Sequence, residues 1–158
     1  MSRINKKIDE VSQRGGEYFK VMSDLSAGRI NCSVNEIPSK IDIIRNIVKE
    51  KNGVMHVRGE SNENPYGFCL KGDQFTDITQ YAYIFTDETC YPIELQIGHE
   101  FAAHTFTIDS AIRDNPNCGL IDLWKGGLYN MVKEYILDKA NGKPPKPGLK
   151  YNIRIILK

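Results

Sequence analysis

Two carboxylates occupy segments patterned like β-strands. The run Pro92-Ile93-Glu94-Leu95-Gln96-Ile97 alternates apolar and polar side chains, which puts Glu94 and Gln96 on one face and Ile93, Leu95 and Ile97 on the other. Asp24 opens a second run, Asp24-Leu25-Ser26-Ala27-Gly28-Arg29-Ile30. Acids on two strands of one sheet are a common way to hold a divalent cation beside phosphates. Taken singly, Asp24 reads equally as a turn residue ahead of a strand. Glu94 alone reads equally as a carboxylate on the solvent side of a half-buried strand.

Other chemistry is weaker on spacing. His99-Glu100-Phe101-Ala102-Ala103-His104 resembles a zinc-protease helix, but its histidines are five apart instead of four. Five residues turn an α-helix by roughly 140° beyond a full turn, so the two rings leave the common face. These residues read instead as a polar helix start. No Gly-x-Ser-x-Gly elbow and no Gly-x-x-x-x-Gly-Lys-Ser/Thr phosphate loop occurs. Cys32, Cys69, Cys90 and Cys118 are too widely spaced for a paired zinc-ligand motif, so free thiols are expected, some of them buried.

Several elements must position the two acids. Residues 3–21 pattern as a helix weakened at Gly15-Gly16, and 25–34 as a strand. Ile41, Ile43, Ile44, Ile47 and Val48 predict a helix over 39–52, stopped by Asn52-Gly53. Val54–Val57 follows as a short strand, then a polar loop over 58–66, with Phe68-Cys69-Leu70 as a further short strand. Ile78–Thr86 and Tyr91–Gly98 predict an antiparallel hairpin. Helices are expected over 100–113 and 120–139, the second ending at Asn141-Gly142. A Pro-rich connector over 140–150 leads to a C-terminal strand, Tyr151–Leu157.

The 158 residues suit a single domain spanning 1–158. The fold expected is α+β, a mixed sheet of about five strands with flanking helices. A net charge of +1 supplies no strong field toward nucleic acid or anionic lipid. Neither a signal-peptide core nor a bilayer-length apolar stretch is present, so a cytoplasmic protein without membrane contact is expected. Homo-oligomerisation is left open.

The Asp24–Ile30 run resembles the Asp-h-h-Ala/Gly-x-Arg-h strand (h, hydrophobic) of RelA/SpoT-type alarmone (ppGpp) synthetases. That family continues with a helix, a strand, a Gly-aromatic segment and a Glu-h-Gln-h strand. Here Ser39–Asn52, Val54–Val57, Gly67-Phe68 and Ile93-Glu94-Leu95-Gln96-Ile97 follow in that order. The resemblance covers roughly residues 3–140 and implies a nucleotidyltransferase-like fold. It also implies Mg²⁺-dependent transfer of pyrophosphate from ATP to the 3′-hydroxyl of a guanosine nucleotide, GDP or GTP.

Carried over, Asp24 is a metal ligand, and Glu94 is a second metal ligand or the base for the attacking hydroxyl. Phe68 stacks on the acceptor base, with Tyr66 in reserve. Arg29, Gln96 and Lys71 are further substrate contacts. The chain departs from the pattern at Gly67-Phe68-Cys69-Leu70-Lys71-Gly72, where the family has Gly-Tyr-x-Ser-x-His, and at Gly98-His99, where it has Arg-Thr. These departures keep two alternatives in view. One is a catalytically altered or inactive nucleotide-binding or interaction module. The other is a toxin that pyrophosphorylates the tRNA 3′ end.

Overall fold

The computed structural model describes residues 27–86, 92–105, 127–144 and 146. Asp24, the expected helix over 3–21, the segment 106–126 and the expected strand at Tyr151–Leu157 lie outside the described residues.

The alternating segments pair into a mixed sheet. Strands β1 (Ala27–Asn31), β2 (Val54–Val57), β5 (Thr79–Phe85) and β6 (Ile93–Gly98) form four strands in the order β1-β6-β5-β2. β5 and β6 are the antiparallel hairpin expected, and β1 joins β6 in parallel. The sheet therefore has four described strands instead of five. β3 (Leu70–Lys71) and β4 (Gln74–Phe75) make a separate two-stranded hairpin. Its turn is set by Gly72, whose φ of 58° suits a residue without Cβ.

Three local expectations are corrected. The strand expected over 25–34 stops at Asn31 because Ser33-Val34-Asn35-Glu36 is a capping box. Glu36 Oε2 accepts from Ser33 N at 2.9 Å and from Ser33 Oγ at 2.6 Å, which turns the chain into a short 3-10 turn at Val34–Glu36. These two bonds also hold the Glu36 carboxyl below its usual pKa. Residues Gly67–Cys69 are likewise a 3-10 turn and not a strand.

The third correction concerns helix α1 (Ile37–Glu50), whose inner stripe is Ile37, Ile41, Ile44 and Val48, spaced 4, 3 and 4. Ile43 and Ile47, assigned to the buried face by periodicity, are 53% and 52% exposed. At 100° per residue they lie roughly 90–130° from the centre of the stripe.

The core forms where α1 covers one face of the sheet. Ile37, Ile41 and Val48 meet Met55, Val57, Ala82 and Ile97, with Ile78 and Val132 completing the cluster. A fully buried side chain of this size contributes about 1.5–3 kcal/mol. Helix α2 (Tyr129–Ala140) brings in Val132 and ends where Asn141-Gly142 predicted. Gly142 takes φ 67°, and the Lys143 amide donates to Asp138 O at 2.7 Å. Asn141 does more than stop the helix. Its side chain accepts from Phe75 N at 2.8 Å and donates to Phe75 O at 2.9 Å, which ties the β3–β4 hairpin to α2.

Cys32 and Cys69 are free thiols, as their spacing implied, and Cys69 is buried. Burial, followed by the nearby Asp77 carboxylate, pushes the Cys69 thiol up to about 11 from 9.0. The neutral thiol is thus favoured in the folded state. Its contribution is fully present below the unfolded-state pKa and is lost as pH rises from 9.0 toward about 11. Native Cys69 should resist alkylation at pH 8 and react once urea unfolds the chain, as peptide mass mapping would show. Equal labelling in both states would place the thiol at the surface.

Candidate functional site

The site begins with the face of the sheet turned away from α1. Register places two rows of side chains across it. One row runs Arg29–Gln96–Tyr81 and extends to Arg58, whose amide donates to Tyr81 O at 2.8 Å. The next runs Ala27–Glu94–Tyr83–His56. Partners in register share a face, so a cationic, amide, phenol and carboxylate cluster spans all four strands.

The sequence-predicted residues divide into those brought together and those kept apart. Arg29, Gln96 and Glu94 join in one hydrogen-bonded chain. Gln96 Nε2 donates to Glu94 Oε1 at 3.1 Å, and Arg29 Nη1 donates to Gln96 Oε1 at 2.9 Å. Arg29 also donates through Nη2 to His99 O at 2.9 Å and through Nε to Asn31 Oδ1 at 2.8 Å. Burial lowers the Arg29 pKa, opposed by Tyr81 and Cys32. A guanidinium so displaced still carries its charge at neutral pH. Burial likewise raises the Tyr81 phenol, reinforced by the Glu94 and Asp77 carboxylates.

Phe68 is 66% exposed and projects from the turn after the polar loop. Its amide donates to Arg58 O at 3.2 Å, and its ring lies against Gly59, where a Cβ would come within 2.6 Å of ring carbon Cε1. An exposed ring fixed at its base has the geometry a stacking platform needs. Tyr66 faces elsewhere, its hydroxyl donating to Asp42 Oδ2 on α1 at 3.0 Å. Lys71 sits exposed on β3, in the other sheet. Asp24 lies outside the described residues, three positions ahead of Ala27, the residue paired with Glu94.

Three features escaped the sequence reading. Arg58 lies over the Tyr81 ring, 5.7 Å from its centroid, as a cation–π pair. Gln80, fully buried, donates to Tyr66 O at 2.5 Å and so anchors the Gly67–Cys69 turn to β5. A cleft of about 250 Å³ opens beyond the C-terminal ends of parallel β1 and β6, lined by Asn31, Cys32, Ser33, His99 and Glu100. Ligands of open sheets favour such carboxyl ends. Within it, His99 Nδ1 accepts from Phe101 N at 3.1 Å, the polar helix start expected there. Burial holds the His99 imidazole below its usual pKa, against the opposing pull of Glu100.

Among the described residues no group of three or more His, Cys, Asp or Glu side chains is placed to hold a metal ion. Mg²⁺ differs from zinc in this respect, since one or two carboxylates, substrate phosphates and water complete its shell. Glu94 fits that donor set. Its Oε1 accepts from Gln96 Nε2 at 3.1 Å.

Comparison with protein-family models, with curated proteins and with solved structures finds no match for this chain.

Proposed function

We propose that the polar sheet face carries a RelA/SpoT-like, nucleotidyltransferase-type site. It would transfer pyrophosphate from ATP to the 3′-hydroxyl of a guanosine nucleotide with Mg²⁺. The observation that carries this reading is the parallel pairing of β1 with β6, which sets Ala27 opposite Glu94 and Arg29 opposite Gln96. The Ala27–Ile30 end of the first run and the Glu94-x-Gln96 run are thereby neighbours, although 67 positions separate Arg29 from Gln96 in the chain.

In this reading Glu94 and Asp24 hold Mg²⁺, or Glu94 accepts the proton of the attacking hydroxyl. Bound there, Mg²⁺ neutralises charge on the donor phosphates. Phe68 presents its exposed ring to the acceptor base. The site is cytoplasmic in chemistry, needing only ATP, Mg²⁺ and a nucleotide acceptor.

A non-catalytic nucleotide-binding module is the second reading, and one local feature favours it. Leu70, where the family has serine, packs against the core, and Gly72, where it has histidine, forms the hairpin turn. Two acceptor contacts are therefore replaced by structural residues.

The experiment is incubation with labelled ATP and Mg²⁺ plus GDP, GTP or deacylated tRNA, resolving AMP and the acceptor product. AMP release with a labelled guanosine nucleotide supports the proposal, and labelled tRNA redirects it to the toxin reaction. Nucleotide binding without turnover on any acceptor leaves the module.

A further inference from the structure

A hydrogen-bond chain runs from Glu94 through Gln96 and Arg29 to Asn31 at the strand-end cleft. We infer that Asn31, Arg29 and Gln96 form a positioning relay that fixes the Glu94 carboxylate. Arg29 is thus a positioning residue and not a substrate contact.

An ionised Glu94 only accepts, so Gln96 must present its NH₂ to it. The Gln96 amide can also sit reversed, with Oε1 against the carboxylate, which is repulsive. Arg29 has only donors, and Nη1 at 2.9 Å claims Gln96 Oε1, so the amide is locked with Nε2 toward Glu94 Oε1 at 3.1 Å. Arg29 is in turn fixed through Nε by Asn31 Oδ1 at 2.8 Å and through Nη2 by His99 O at 2.9 Å. Three separate acceptors thus occupy the guanidinium. This demands the planar fork of arginine, which the single ammonium of lysine does not reproduce. Asn31 is exposed at the end of β1, so it can be replaced without opening the core.

The relay holds Glu94 through Oε1. The catalytic consequence rests on the pyrophosphate-transfer reading above, but the relay itself does not. The test therefore has two arms on the full-length chain. The first is hydrogen exchange of the Gln96 side-chain amide by NMR. Loss of one hydrogen bond predicts exchange faster by about tenfold in Asn31→Leu and Arg29→Lys, and within about twofold of wild type in Asn31→Asp, which keeps the acceptor.

The second arm is turnover. Asn31→Leu should lower kcat by about tenfold with KM for ATP changed by less than about twofold, and Asn31→Asp should recover kcat. Unchanged Gln96 exchange in both Asn31→Leu and Arg29→Lys overturns the relay. A raised KM with unaltered kcat in Arg29→Lys overturns the positioning role and makes Arg29 a substrate ligand. The predicted exchange pattern in a protein without turnover upholds the relay and sinks the pyrophosphate-transfer reading instead.

Discussion

Glu94→Gln is expected to cut pyrophosphate transfer by about 10²–10⁴-fold, the usual span for loss of a positioned base. The melting temperature should stay within about 2 °C of wild type, since a near-isosteric surface change rarely costs more than about 0.5 kcal/mol. Glutamine has the same shape and keeps an oxygen for Gln96 Nε2, which now donates to Glu94 Oε1 at 3.1 Å. Glu94 is half-buried on the polar face, opposite the hydrophobic cluster, so the change removes charge and basicity while keeping the side chain's shape. The rate of AMP release and a thermal melt on the same preparation check both halves. Equal rates in wild type and Glu94→Gln would remove Glu94 from the chemistry.

Gly67→Ala is expected to be the most destabilising single-methyl change among the described residues, costing about 3 kcal/mol or more. Left-handed backbone alone costs an alanine roughly 1–2 kcal/mol, and Gly67 has φ 66°. The larger part is steric, because an added Cβ overlaps the Arg58 carbonyl oxygen and approaches Gln80 Nε2 to 2.6 Å. The first of these is backbone, which cannot swing aside. The same carbonyl accepts from Phe68 N at 3.2 Å, so relief of the clash also releases Phe68. Gly72→Ala is the control. Its φ is 58°, but a Cβ there meets nothing within 4 Å, so only the conformational cost of about 1–2 kcal/mol applies. Urea denaturation of the two variants measures the difference, and equal midpoints would show that the Arg58 contact carries no weight.

What the sequence disclosed follows the range of the interactions. The alternation of Ile93–Ile97 and the stop at Asn141-Gly142 are local signals, and β6 and the end of α2 match them. Val54–Val57 matches β2 residue for residue. The capping box at Ser33–Glu36 is also local, yet the apolar Val34 masked it by extending the strand pattern. Gly72-Asp73 is a hairpin turn signal overlooked because its strands have only two residues each.

The site is harder to read because its bonds are long-range. Arg29 and Gln96 are 67 residues apart and meet only through the parallel register of β1 and β6. Nothing local in either segment specifies that pairing. The Arg58–Tyr81 stack depends similarly on the pairing of β2 with β5. Residue types thus disclosed the acid and amide, while sheet topology decided which side chains join them.

In the proposed site Glu94 meets a metal-bound nucleotide on the polar sheet face. The most direct measurement is paramagnetic broadening of the Glu94 side-chain carboxyl by Mn²⁺ with ATP, using ¹³C-labelled glutamate. Selective broadening at Glu94 that requires ATP and is lost in Asp24→Asn is the expected result. Broadening that spares Glu94 while Mn²⁺–ATP is bound, or that persists unchanged in Asp24→Asn, would contradict it.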